Sequence, residues 1–480
     1  MTVVDSAETI CIQGGYVVTI NPSRNVYPDG RVTIRGNRIE KVGPAGEGPF
    51  EGRIIDARGM IVIPGLINCH QHFYYHLFKG LANGLLIEDW FPAVVFPVLP
   101  HLTDDDMELT SYLAGIEMLR TGTTCCLHHL RTTTTEETLR RIAGPTAELG
   151  FRQVIGKEVQ CRLPGNPHHP RDLREEIAYV DELIPKWARA HGGLVRLALV
   201  TECNAIFIEQ RVTSDELLVE GKRLATKHGL KISSHFSGGT LAFEKAYLRV
   251  LRKTGRTDVQ NLMRLGLLDS TYILVHGIQA TDTDIRMMAD SGCSAVYTPT
   301  SEAVRGGGIG PAAPMIQAGV NVALGSDGPM VDYSVDMVEQ MKACSFLQNV
   351  KHLDPTIMPP ERCLEMATIN ASRALGFEGE LGSLEPGKLA DIAIFGLRTA
   401  HAAVAHNPIS SLVYSAKGTD VHTLLVDGQV VIDAGELKTF KDEARVIDAA
   451  TQRGKEIVRK AGLADRALPR WPKVTSPKDA

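Results

Sequence analysis

The stretch Ile61-Val62-Ile63-Pro64-Gly65-Leu66-Ile67-Asn68-Cys69-His70-Gln71-His72 decides how this chain is read. An apolar run is broken by a Pro-Gly pair, where no regular helix starts, and leads into two histidines. Side chains alternate in direction along a strand, so His70 and His72 point the same way and two imidazoles can grip one ion. Such pairs also occur by chance on surface strands; the rest of the chain gives this one its weight. His235, His276 and Asp327 each close a short apolar, strand-like run, at 230–234, 272–275 and 320–326. Five metal-binding or acid–base groups at the C-terminal ends of predicted strands is the layout of an active site on a parallel barrel.

Around these points the chain divides by texture. Residues 1–63 carry short alternating runs punctuated by Gly-Gly, Pro-Asp-Gly and Gly-Asn-Arg turns, the pattern of a small β domain. From residue 64 to 384, strand-like runs alternate with amphipathic helical stretches. The predicted strands are 61–67, 123–127, 151–159, 194–201, 230–235, 272–276, 294–298 and 320–326, with helices at 104–121, 171–190, 213–228 and 281–291 among those between them. Eight such alternations predict an α/β fold, a (β/α)8 barrel. A doubly wound open sheet competes, but five chemical residues on five different strands favour the barrel. Short β-runs return over 385–445, so the two ends are expected to pair into one small β-sandwich domain, followed by a helical tail at 446–480. The glycine run Gly306-Gly307-Gly308-Ile309-Gly310 lacks the Lys-Ser/Thr of a phosphate loop and is read as a loop at the mouth of the site.

Composition narrows the class. The chain has 480 residues, 44% hydrophobic and 22% charged, which is ordinary for a globular protein. A net charge of −5 and a pI near 6.4 leave no basic footprint for nucleic acid. Nine cysteines, with no C-x-x-C pair, argue for a reduced protein and against a thiolate-held zinc. No basic-then-apolar leader and no run of about 20 apolar residues is present, so a cytoplasmic protein without membrane contact is expected.

As an ordered set, Pro64-Gly65-Leu66-Ile67-Asn68-Cys69-His70-Gln71-His72, His235, Val275-His276-Gly277, Gly325-Ser326-Asp327-Gly328 and Gly382-Ser383-Leu384-Glu385-Pro386-Gly387-Lys388-Leu389-Ala390-Asp391 resemble the amidohydrolase superfamily over about residues 9–440. Within it the chain is similar to the branch holding atrazine chlorohydrolase, hydroxyatrazine aminohydrolase, and guanine, 8-oxoguanine and cytosine deaminases. The resemblance implies one divalent metal, zinc first with iron or cobalt as alternatives, held by His70, His72, His235 and Asp327. It also implies a base role for Asp327 and a place for His276 beside the metal. No lysine ends the fourth predicted strand, so one metal is expected and not a carbamate-bridged pair. The reaction implied is hydrolysis of a C–N bond in a small N-heterocyclic or aromatic compound. Relatives are homodimers or larger, and the same assembly is expected here.

One departure stands out. Deaminases of this branch carry a glutamate three residues beyond the fifth-strand histidine, where it moves protons to ring and leaving group. In His235-Phe236-Ser237-Gly238-Gly239 that position is Gly238. Glu202, Glu158 and Glu302 are candidate substitutes; His128 and His129, at the end of the second strand, are proton shuttles or pocket-lining groups. Glu244 is expected on a solvated helix face. The departure keeps open a second reading, hydrolysis of an amide, urea or thiocarbamate, which the superfamily's molinate and phenylurea hydrolases carry out. It also keeps open a third, a non-catalytic binding relative. Phe73, Tyr74, Tyr75, His76, Trp90, Phe91 and Phe96, in the long loop after the first strand, suit a flat or apolar ligand. Lys157 and Arg305 are the only basic residues expected near the strand ends, which disfavours a multiply charged substrate.

Overall fold

The computed structural model describes residues 9–46, 50–239, 241, 245–468 and 471. Glu244 and the tail beyond 471 lie outside the described residues. Eight parallel strands follow one another round a closed barrel: β1 (Leu66–Gln71), β2 (Thr123–His129), β3 (Arg152–Glu158), β4 (Val195–Val200), β5 (Ile232–Phe236), β6 (Tyr272–His276), β7 (Ser294–Tyr297) and β8 (Asn321–Leu324). Closure between first and last runs through the extension of β8. Asp327 N donates to His70 O at 3.0 Å, Asn68 Nδ2 donates to Ser326 Oγ, and the Ser326 backbone N–H donates to Asn68 Oδ1. A Cβ on Gly325 would meet His70 Cβ at 2.9 Å, so only glycine lets the last strand come this close to the metal-site strand. The barrel expectation holds. Ile67, Cys69, Cys125, Leu127, Val154, Ala198, Ile273, Val275, Val296 and Ala323 fill its interior.

The predicted first strand, 61–67, needs correction. Its first half, Met60–Pro64, pairs antiparallel with Ile392–Gly396, outside the barrel; β1 starts only at Leu66. Gly65 marks the crossing. Its N–H donates to Asp391 O, and a Cβ there would stand 2.2 Å from Thr124 Oγ1. The apolar run is continuous because both halves are buried, in two different sheets.

The accessory sheet joins the chain ends as expected. Its order is Glu436–Leu437, Gln429–Asp433, Val421–Val426, Ile392–Gly396, Met60–Pro64, Thr9–Val18, Val26–Arg35, Arg38–Pro44, with Arg53–Asp56 branching from Thr9–Val18. Helix starts follow local chemistry: Thr281 caps Asp282–Ser291 by a reciprocal bond pair with Asp284, and Ser214 caps Asp215–His228. After the last strands, helix Glu443–Lys460 packs back on the barrel, where Arg453 pairs with Asp106 at 2.6 Å.

Arg152 on β3 ties barrel to accessory sheet. Both it and Asp391 are buried, with Nε at 2.9 Å and Nη2 at 3.0 Å from the two carboxylate oxygens. Asp391→Ala leaves the guanidinium with half-buried Asp427, at 3.1 Å, as its one carboxylate, beside the Gly193 carbonyl at 3.3 Å. The expected cost is about 3 kcal/mol, read as a lower urea midpoint; an unchanged midpoint contradicts the tie.

Candidate active site

His70 is the penultimate residue of β1, and His72 follows the strand in extended conformation (φ −119°, ψ 98°). His129 ends β2, Glu158 ends β3, Glu202 follows β4, His235 lies in β5, His276 ends β6 and Asp327 follows β8. The rings of His70 and His72 stand 4.8 Å apart at 87°, and those of His70 and His235 5.0 Å apart at 89°. Two triplets share His70: with His72 and Asp327, and with His129 and His235. Within each, the donor atoms lie within 4.8 Å of one another.

The donor set fits a metal. Asp327 Oδ1 is 3.5 Å from Nε2 of both His70 and His72, close to the edge of a tetrahedron built on bonds of about 2.0–2.2 Å. Both ring nitrogens of His70 are buried without a hydrogen-bond partner, a costly state that an ion relieves. The other rings are anchored through Nδ1: His72 to the His129 carbonyl at 2.6 Å, His235 to Glu202 at 2.7 Å, His276 to Thr298 Oγ1 at 2.9 Å and Glu302 at 3.0 Å. Anchoring Nδ1 leaves each Nε2 free to face the centre. His129 is spent otherwise, with Nε2 3.0 Å from Glu202 and Nδ1 3.0 Å from Ser233 Oγ.

Electrostatics prepare the same state. Burial lowers the pKa of His70, His72, His129 and His235, keeping them neutral. Burial would raise Asp327, but the neighbouring His70, His276 and Arg305 outweigh it and hold the carboxylate well below its usual range. Glu202 is likewise held down against burial, by His235 and Arg131. The backbone is strained here: His276 (φ +82°) and Asp327 (φ +65°) are non-glycine residues in the left-handed region, at about 1–3 kcal/mol each.

Above the cluster lies a small cavity. His72, His235, His276 and Asp327 form its floor; Tyr75, Trp90, Phe91 and Phe207 wall it. Several expectations are redrawn. His128 turns away from the cavity, stacks on Phe73 at 3.9 Å and bonds Gln153. Phe96 is 43% exposed, and the segment after β1 is largely helical, with turns over 73–78 and 87–101. Lys157 faces Glu176 at 2.8 Å and not the cavity. Glu158 and Glu302 act on it only through Arg131 and through His276 and Arg305. Arg131 and Phe207, which the sequence reading did not single out, both line it. At Gly238 a Cβ would meet Asn204 Nδ2 at 3.2 Å and Phe236 O at 4.0 Å, and the glycine itself brings no carboxylate to the cavity.

A barrel with this His/Asp cluster at the C-terminal ends of its strands is a metal-dependent hydrolase with a single divalent-metal site. The model of the Amidohydrolase family matches residues 61–431. The chain is 32% identical over 459 residues to a 5-methylthioadenosine/S-adenosylhomocysteine deaminase of Syntrophobacter fumaroxidans, covering 95% of this chain and 98% of the relative. It is 32% identical over 439 residues to a 5′-deoxyadenosine deaminase of Methanothermobacter thermautotrophicus, covering 91% and 96%. An adenosine deaminase structure from Xanthomonas campestris with bound zinc superposes with TM-score 0.85 at 26% identity, covering 94% and 99%. The zinc complex of atrazine chlorohydrolase from Arthrobacter aurescens shares the fold with TM-score 0.82 at 21% identity, covering 93% and 100%. The chain belongs to the amidohydrolase family, and it is an enzyme acting on carbon–nitrogen bonds. Among the described residues, no helix is long and apolar enough to cross a membrane.

Proposed function

We propose that this enzyme hydrolyses the exocyclic C–NH2 bond of a small N-heterocycle, with aminopurine nucleosides the first class to test. The observation that carries the reading is the aromatic-walled cavity directly over the histidine–aspartate cluster. The purine-nucleoside deaminases among its relatives support it. His70, His72, His235 and Asp327 would hold the metal, which when bound lowers the pKa of a water from about 15.7 to about 7. Asp327, kept ionised, takes the proton of the attacking water and returns it to the leaving nitrogen, which departs as ammonia. Thr298 and Glu302 hold His276 through Nδ1, so that its Nε2 stands beside the oxygen that forms on attack. Tyr75, Trp90, Phe91 and Phe207 orient the ring and exclude water.

Gly238 favours a second reading, hydrolysis of an amide, urea or thiocarbamate, for which no ring nitrogen needs a proton. Ammonia release from adenosine, 5′-deoxyadenosine, 5′-methylthioadenosine, guanine, cytosine and aminotriazines, set against amine release from ureas, amides and thiocarbamates, decides between them. Ammonia from none of the heterocycles rejects the first reading.

Glu202 would hold His235 from behind. Glu202→Gln is expected to weaken zinc binding about 10–100-fold, measured by competition with a chelator; unchanged affinity contradicts the assignment. We extend the reading to a cytoplasmic homo-oligomer. Nine cysteines, all buried and unpaired, support the compartment, the family resemblance supports the assembly, and light scattering tests it.

A further inference from the structure

The glycine run after β7 shapes the metal cluster from a distance. Helix Pro299–Arg305 follows β7 and ends on Gly306, which is left-handed (φ +63°) and donates to Ala303 O at 3.2 Å. The Gly307 N–H then donates to Glu302 O at 2.9 Å. This double closure is the glycine-dependent way to end a helix. It also lays the chain against the Glu302 side chain, since a Cβ on Gly307 would stand 2.3 Å from Glu302 Oε2. The other oxygen, Oε1, turns toward the site. It stands 3.0 Å from His276 Nδ1 and accepts from Arg305 Nη2.

Arg305 is buried and bound back onto its own helix, with Nε 3.2 Å from Ser301 O and Nη2 3.3 Å from Ser301 Oγ. The same Nη2 stands 3.6 Å from Asp327 Oδ2. The opposite oxygen of that carboxylate, Oδ1, faces the histidines, 3.5 Å from Nε2 of both His70 and His72. The two oxygens of Asp327 therefore have different neighbours, a cation on one side and the ligand imidazoles on the other. A basic residue in the last turn also complements the helix dipole, but that role does not require contact with Asp327. A carboxylate gripping the metal with both oxygens would take up the position that an attacking water needs.

We propose that Arg305, braced by Glu302, is a positioning residue for Asp327: it holds Oδ2, so that the carboxylate meets the metal through Oδ1 alone. This rests on the reading of Asp327 as a metal ligand. Cobalt(II)-loaded wild type, Arg305→Met and Arg305→Lys are compared by visible absorption. In Arg305→Met the cobalt bands are expected to shift and lose intensity, because a second carboxylate oxygen raises the coordination number. Arg305→Lys returns a cation and is expected to bring back the wild-type spectrum. On whichever heterocycle, urea or amide the enzyme turns over, Arg305→Met is expected to lower kcat about 10–100-fold while KM moves by less than about threefold. Near-UV dichroism and cobalt content show that each variant is folded and loaded. Unchanged bands in Arg305→Met, or altered bands that Arg305→Lys does not restore, overturn the proposal. A wild type that takes up no cobalt overturns the ligand reading and the proposal with it. The spectra need no substrate, so a failure of the C–N hydrolysis reading, seen as no ammonia or amine release, stays distinct from a failure of the brace.

Discussion

Changing His70 to alanine is expected to strip the enzyme of zinc and slow hydrolysis by at least about three powers of ten, while leaving it folded. The reason lies in the environment of this one ring. It is fully buried, neither nitrogen has a hydrogen-bond partner, and it belongs to both groups of converging donors. A structural histidine in such a place would have found a partner. Its removal takes away no protein hydrogen bond of the ring, so the fold has little to lose. The metal loses the ligand at the centre of its site, and with it the drop in water pKa that makes attack feasible near neutral pH. Metal analysis, near-UV dichroism and product release are read on the same preparation. A variant that keeps one equivalent of zinc and its turnover removes His70 from the site.

Replacing Gly238 by glutamate is expected to raise ammonia release from amino-heterocycles by about two powers of ten, the lower range of what a positioned proton carrier supplies. The backbone at 238 is not left-handed, and the nearest obstacle is the end of a flexible side chain, Asn204 Nδ2 at 3.2 Å. Asn204 itself lines the cavity, so a carboxylate grown from 238 enters the space where the ring would lie. A folded, zinc-loaded variant with no gain shows that proton delivery to the ring is not what limits the wild type.

Much of this architecture is written locally. The turn-punctuated start, the alternation of strand and helix, and the helix caps at Ser214 and Thr281 depend on neighbours in sequence, and periodicity exposes them. His70, His72, His235, His276 and Asp327 were legible because each ends an apolar run. The boundary at Gly65 was not, because burial in two different sheets leaves the run Ile61–Ile67 unbroken. Arg131 was not legible either. It stands past a strand end, in a threonine-rich segment without periodicity. Its place is fixed by Phe207, Glu158 and Glu202, which come from three other parts of the chain. The outward turn of His128 beside the inward His129 also depends on strand phase, which two adjacent histidines do not reveal. Nothing in the sequence marks the left-handed backbone at His276 and Asp327.

The most direct measurement is an anomalous difference map from crystals of the zinc-loaded protein, collected on either side of the zinc edge. One peak is expected, about 2.0–2.2 Å from the Nε2 atoms of His70, His72 and His235 and from a carboxylate oxygen of Asp327, with Glu202 beyond bonding distance behind His235. No peak among these residues, or a peak held by groups that exclude His70 and Asp327, would contradict the account.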